Sequence, residues 1–283
     1  MMRFGLYDCF CVETDLFFLD GGAMFGVVPK NLWAKKIPAD SDNRIPMQAR
    51  SLILRGPDKI ILVDAGVGDS LPEKFRKIYG IQASGASMAE RLALRGLTVD
   101  DITDVFLTHL HFDHVGGATR RVGNRMVPAF PHAVYHVQQA QWDLARHPSV
   151  RDQSSYLPDN FMPLENHGVL HLVDGPKDDF FAGIDLIVTH GHTRGQQHLL
   201  VKGKDTALFF CADLIPTSAH LPIAWNMAYD NEPLILMAEK QNILSRAAAE
   251  NWVLCFEHDP EVAAASVREK DGRIVACRRM DLG

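Results

Sequence analysis

Residues 109–114 read His-Leu-His-Phe-Asp-His, three imidazoles and a carboxylate within six positions. Packing alone gives no reason to bring so many metal-ligating groups together. Neutral imidazole nitrogen and carboxylate oxygen suit a divalent zinc ion, whereas clustered thiolates would signal structural zinc or an iron–sulfur centre. We read HxHxDH as a catalytic metal site. The preceding run Asp104-Val105-Phe106-Leu107-Thr108 is apolar and rich in β-formers, and Val115-Gly116-Gly117 after it permits a tight turn, so the ligands fall at a strand end. Alternation along an extended chain puts His109 and His111 on one face, while Asp113 and His114, past the strand end, can turn toward a second metal. That spacing favours two ions.

Other apolar runs end the same way. Leu186–Thr189 leads into His190-Gly191-His192, Ala207–Ala212 into Asp213, Trp252–Glu257 into His258, and Lys59–Val63 into Asp64. A metal site assembled from strand ends requires this pattern.

Together these residues resemble the metallo-β-lactamase superfamily of metal-dependent hydrolases. Its ordered signature is Asp, HxHxDH, His, Asp and His, matched here by Asp64, His109 to His114, His192, Asp213 and His258. The resemblance implies an α/β fold, an αββα sandwich of two mixed β-sheets flanked by helices, as one domain over residues 1–283. It implies that His109, His111 and His192 hold one metal, that Asp113, His114 and His258 hold the other, and that Asp213 bridges them. Asp113, Asp213 and His258 then belong to the catalytic machinery, with Asp113 also relaying a proton. Asp64 is expected to position ligands by hydrogen bonds, and His190 to act beside them or structurally, neither as a ligand. The iron-containing branch commonly has a carboxylate at the position of His111, so the cofactor expected is two zinc ions, with iron and manganese as alternatives.

Zinc lowers the pKa of bound water to about 7, and two ions can hold a bridging hydroxide that attacks an ester directly. The absence of a GxSxG elbow and of a Gly-rich phosphate loop agrees with this. Thr193–His198 is similar to the corresponding segment of acyl-homoserine-lactone lactonases, and Asp213–Pro222 through Met227–Asp230 to the methyl-parathion-hydrolase-like branch. The reading is therefore a lactonase of quorum-quenching type with phosphotriesterase activity in second place. Leu214-Ile215 stands where lactonases have a tyrosine close by, a role Tyr229 can take, and His220 is a candidate contact. Residues 19–48 form an apolar, glycine-broken segment read as a flap, in which Met24, Phe25 and Trp33, with Trp225, would wall an acyl chain.

Glyoxalase II-like thioester hydrolysis or iron sulfur-dioxygenase chemistry is the rival enzyme reading, kept open by Arg268, Lys270, Arg273, Arg278 and Arg279. A non-catalytic metal-binding sensor is the rival of a different class. Net charge −6 without a basic run argues against a nucleic-acid partner, leaving a small-molecule substrate. No leader-like start and no apolar run of about 18 residues gives the expectation of a cytoplasmic protein without a membrane partner. Five dispersed cysteines fit reduced thiols, with Cys9, Cys11, Cys211 and Cys255 read as buried, and pairing into a homodimer would cover the apolar flap. His132, His136, His147, His167 and His171 are assigned surface or core polar roles, and His198 a supporting one.

Overall fold

The computed structural model describes residues 1–83 and 86–283. Residues 84 and 85, inside the stretch 71–96 whose composition suggests helix and loop, lie outside the described residues; around them are the helices Glu73–Ile78 and Met88–Ala93.

Strict alternation of core assignments along the strands explains the architecture. Ile61 and Val63 face one cluster and Leu62 another; Leu52 and Leu54 oppose Ile53 in the same way. In the second half of the chain Leu199 and Val201 face inward and Leu200 outward, and Leu208 and Phe210 inward with Phe209 outward. Strands apolar on both faces must be covered twice, which two stacked sheets with outer helices achieve.

The first sheet runs Met2–Phe4, Tyr7–Asp20, Arg44–Arg55, Ile60–Val63, Asp104–Phe106, Val134–Gln138 and Leu170–Val173. It is antiparallel up to Ile60–Val63 and parallel thereafter. The second runs Lys177–Phe181, Ile184–Thr189, Gln196–Lys202, Ala207–Phe210, Val253–Cys255, Ala264–Lys270 and Arg273–Met280, with Ala207–Phe210 and Val253–Cys255 parallel. Phe4, Cys9, Leu52 and Phe106 meet Leu186, Leu199, Phe210 and Val253 between the sheets. Helices Gln139–Arg146 and Pro158–Asn166 cover the first sheet through Trp142, Phe161 and Leu164, and Pro233–Ala249 covers the second through Leu236, Ile243 and Leu244. This is the α/β sandwich of two mixed sheets expected from the sequence. Cys9, Cys11, Cys211 and Cys255 are buried free thiols. Among the described residues no helix is long and apolar enough to cross a membrane.

The segment read as a glycine-broken flap contains two short helices, Gly21–Phe25 and Lys30–Trp33, and its last residues already belong to the strand Arg44–Arg55. Asp20 caps the first helix by accepting from the Ala23 amide at 2.8 Å, so the glycines sit in a capped turn.

Candidate metal centre

Both sheets end their strands on the same rim. After Ile60–Val63 the chain turns at Asp64, whose φ of 52° is left-handed, and its carboxylate reaches the loop after Asp104–Phe106. Asp64 Oδ1 accepts from the Thr108 amide at 2.7 Å, and Oδ2 from Thr108 Oγ1 at 2.6 Å. His109 and His111 follow, His111 in extended backbone, and a single helical turn, Phe112–Val115, rotates Asp113 and His114 to the other side. That turn lies hard against the loop after Asp64: a Cβ on Gly116 would meet Val67 O at 1.8 Å, and one on Gly117 would meet Ala65 O at 2.2 Å. The second sheet supplies His192 after Ile184–Thr189, Asp213 in the turn Ala212–Leu214, and His258 after Val253–Cys255.

The side chains converge as two groups, His109, His111, His192 and Asp213 in one and Asp113, His114 and His258 in the other, with ligand atoms inside each group within 4.8 Å of one another. His109 Nε2 lies 3.0 Å from His111 Nδ1, and His192 Nε2 3.2 Å from that same atom. Asp213 spans the groups, Oδ2 at 3.1 Å from His192 Nε2 and Oδ1 at 3.1 Å from His258 Nε2. His114 Nε2 and His258 Nε2 are 3.1 Å apart, and Asp113 lies 3.9 Å from the former and 3.8 Å from the latter.

Outer hydrogen bonds decide what those inward nitrogens are. The Thr108 hydroxyl gives its one hydrogen to Asp64, so it accepts from His109 Nδ1 at 3.0 Å. His114 Nδ1 donates to Asp64 Oδ2 at 3.0 Å, His192 Nδ1 to Asp230 Oδ1 at 2.9 Å, and His258 Nδ1 to Gln48 O at 2.9 Å. Each leaves Nε2 as a lone pair facing other lone pairs, an arrangement that repels itself unless positive charge sits among them. His111 differs, its outer Nε2 being buried without a partner. Asp213 Oδ1 is likewise buried without a hydrogen bond. The donor set therefore fits two divalent cations.

Electrostatics agree. Burial and the neighbouring rings hold His109 and His111 well below the usual imidazole range. Burial also opposes charge on His192 and His258, yet Asp213, aided by Asp230 at the first and Glu257 at the second, raises both to about 9. Asp213 is itself buried, but His192, His114 and His258 hold it well below the carboxylate range. The cluster attracts positive charge strongly. Glu257, 3.0 Å from His114 Nδ1, is pushed well above the carboxylate range, by burial first and by Asp64 against the pull of His114.

A cavity of about 220 Å³ opens onto this cluster. Leu19, Met24, Met47, Phe112 and Met227 give it an apolar side, Tyr79 and Tyr229 add phenols, and Arg151, Ser154 and Ser155 add polar groups. Met24 and Tyr229 thus stand where the sequence reading put them. Phe25, Trp33, Trp225 and His220 do not line it. Phe25 stacks on His220 at 4.5 Å and on Trp33 at 5.3 Å, with Trp225 edge-on at 5.7 Å, forming a packed support behind Met24. Met24 and Phe25 are consecutive in the helix Gly21–Phe25, and the step of about 100° between neighbours turns their side chains apart. His220 has Nδ1 on Thr217 Oγ1 at 2.7 Å and Nε2 donating to Met24 O at 2.8 Å, so no nitrogen is left for a substrate. His190 is exposed and braces its loop, accepting from the Gly195 amide at 3.2 Å rather than supporting a ligand. His198 is buried between Thr189 and Phe210, and His136 pairs with Asp104. Arg268, Lys270, Arg273, Arg278 and Arg279 lie on the last two strands of the second sheet, away from the cavity lining.

Asp230, Thr108 and Glu257 are the polar partners that sequence reading misses. Tyr156 is another, its ring 4.9 Å from His111 and its hydroxyl bonded to Thr193 at 2.9 Å.

A strand-end cluster of this composition on this sandwich defines a metal-dependent hydrolase. The chain belongs to the metallo-beta-lactamase superfamily, whose family model matches residues 44–258. A probable metallo-hydrolase from Mycobacterium tuberculosis is 27% identical over 256 residues, covering 80% of this chain and 76% of that protein. A crystal structure of a probable metal-dependent hydrolase from Staphylococcus aureus superimposes with a TM-score of 0.88 at 29% identity, over 99% of this chain and 100% of the other. AidC, a dizinc quorum-quenching lactonase in complex with a product, shares the fold with a TM-score of 0.81 at 20% identity, over 99% and 96% of the two chains.

Proposed function

We propose that the protein hydrolyses small-molecule esters, lactones foremost and phosphotriesters second, using two zinc ions. His109, His111, His192 and Asp213 would hold one ion, and Asp113, His114, His258 and Asp213 the other. The observation that carries this reading is the tautomer pattern: four imidazoles are oriented from outside so that their Nε2 lone pairs converge around a carboxylate. When bound, the ions supply Lewis acidity and an activated water. The residues supply the rest. Asp113 lies at the cavity floor, where it can accept a proton and return it to a leaving alkoxide. Tyr229 is a hydrogen-bond donor at neutral pH, its phenol pushed up to about 12 by partial desolvation and by Tyr79, Asp20 and Asp113 nearby. Lining the same cavity, it can donate to the oxygen on which charge develops. Leu19, Met24 and Met47 exclude water from the acyl side. The dizinc lactonase of the same fold supports lactones as the first substrates to try.

The test is metal content of the purified protein together with turnover of lactones, a phosphotriester and a glutathione thioester. About two zinc ions per chain with zinc-dependent lactone or phosphotriester turnover is expected. Iron with sulfur-substrate oxidation, or metal with no turnover of any ester, would overturn it.

A further inference from the structure

We propose that Arg151 binds an anionic group of the substrate, so that the ester taken carries a carboxylate or similar anion remote from the bond that is cleaved. The inference rests on the hydrolase reading above and narrows its substrate class.

Among the described residues lining the cavity, Arg151 is the one lysine or arginine. Its Nη2 donates to Ala228 O and, at 3.3 Å, to Asp230 O, which fixes the guanidinium at the mouth. No carboxylate among the described residues lies within the 4.0 Å of an ion pair, and neither Nε nor Nη1 has a protein acceptor. A guanidinium carries five N–H donors in a rigid fork matched to carboxylate geometry, so three donors stay available. Ser154 and Ser155 also line the cavity, and their hydroxyls make no hydrogen bond to the described residues. Asp152, the nearest carboxylate in sequence, is already satisfied by Ser149 Oγ at 2.8 Å and Asn231 Nδ2 at 3.0 Å. Leu19, Met24 and Met47, also in the lining, offer an anion nothing. A substrate with an apolar middle, an ester over the His/Asp cluster and an anion at Arg151 satisfies every wall.

The competing role is a clamp, since Arg151 holds the loop whose Asp230 orients His192. A clamp acts alike on every substrate, whereas an anion site acts only on charged ones. The test therefore compares, on zinc-loaded protein, the mono-4-nitrophenyl ester of adipic acid with that of its monoamide. Arg151→Gln keeps an N–H for the carbonyls and removes the charge. In wild type the acid ester is preferred through KM, and added salt weakens the preference. In Arg151→Gln the ratio of kcat/KM, acid over amide, falls about tenfold and loses its salt dependence. Equal losses on both esters, or an unchanged ratio, would overturn the anion site while leaving ester hydrolysis standing. Failure of wild type to cleave either ester would overturn this assignment, and failure on every lactone and the phosphotriester as well would overturn the hydrolase reading with it.

Discussion

His192 and His220 are both buried imidazoles on loops of the second half of the chain, each 1% exposed. His192 has one nitrogen on Asp230 and points the other at His111 and Asp213. His220 has both nitrogens engaged, one by Thr217 and one by the Met24 carbonyl, and its ring face covered by Phe25. Burial pulls His220 down to about 4, a neutral ring, while the carboxylates around His192 overcome burial and lift it to about 9. Ring type and burial are thus the same, and the partner of the second nitrogen decides whether a histidine holds a cation or a fold.

Four measurements break or sharpen that contrast. Asp213→Ala removes the carboxylate shared by both groups; zinc content should fall below two per chain and kcat/KM by about three orders of magnitude, about 4 kcal/mol. Full activity with full metal would show that Asp213 is no bridge. On the packing side, Phe25→Ala should cost about 3–5 kcal/mol in denaturant unfolding, with zinc retained at saturating metal. Metal loss in excess of the unfolded fraction would mean that the stack belongs to the metal site after all. Asp230→Asn should weaken zinc about 10–100-fold in a chelator competition, since it loosens one ligand without removing it; an unchanged affinity would deny that Asp230 orients His192. The smallest effect concerns Lys240, which donates to His220 O at 3.1 Å, Trp225 O at 2.8 Å and Asn226 Oδ1 at 3.0 Å behind the stack. Burial lowers its pKa from 10.5 to about 8. Between those values the unfolded chain binds the extra proton, so stability should rise with pH through that window and be flat from this source below it. Lys240→Met lacks that slope, so the wild-type-minus-variant difference in stability should rise with pH through the window; identical slopes in the two proteins would refute it.

The strand-end ligands are legible because two signals coincide, a short apolar run rich in β-formers for each strand and a His or Asp just after it. The two-sheet sandwich is legible only through the resemblance that the ligand order carries, because a run such as Ile61, Leu62 and Val63 is apolar throughout and folding alone assigns its faces. The outer partners are not legible, because the task they perform can be done by several groups. His192 uses a carboxylate 38 residues away, His109 a hydroxyl next door, and His258 the backbone carbonyl of Gln48, which has no side-chain signature. The flap misleads for another reason. Its apolar residues suggest one continuous wall, but within a capped helical turn neighbouring residues point apart, Met24 to the cavity and Phe25 into the stack. Arg151 carries no spacing signal, since only folding brings it to carbonyls 77 and 79 residues away.

The crossing of residues 65–67 with Gly116 and Gly117 has a consequence for variation. Backbone there presses on backbone, so even alanine would collide with a carbonyl. A saturation library should find these two glycines as intolerant as His114, although neither offers a group to any ligand. The smallest side chains on the rim would then look, to a genetic screen, like reacting residues, and only purified variants assayed for folding as well as turnover would tell the two kinds of intolerance apart.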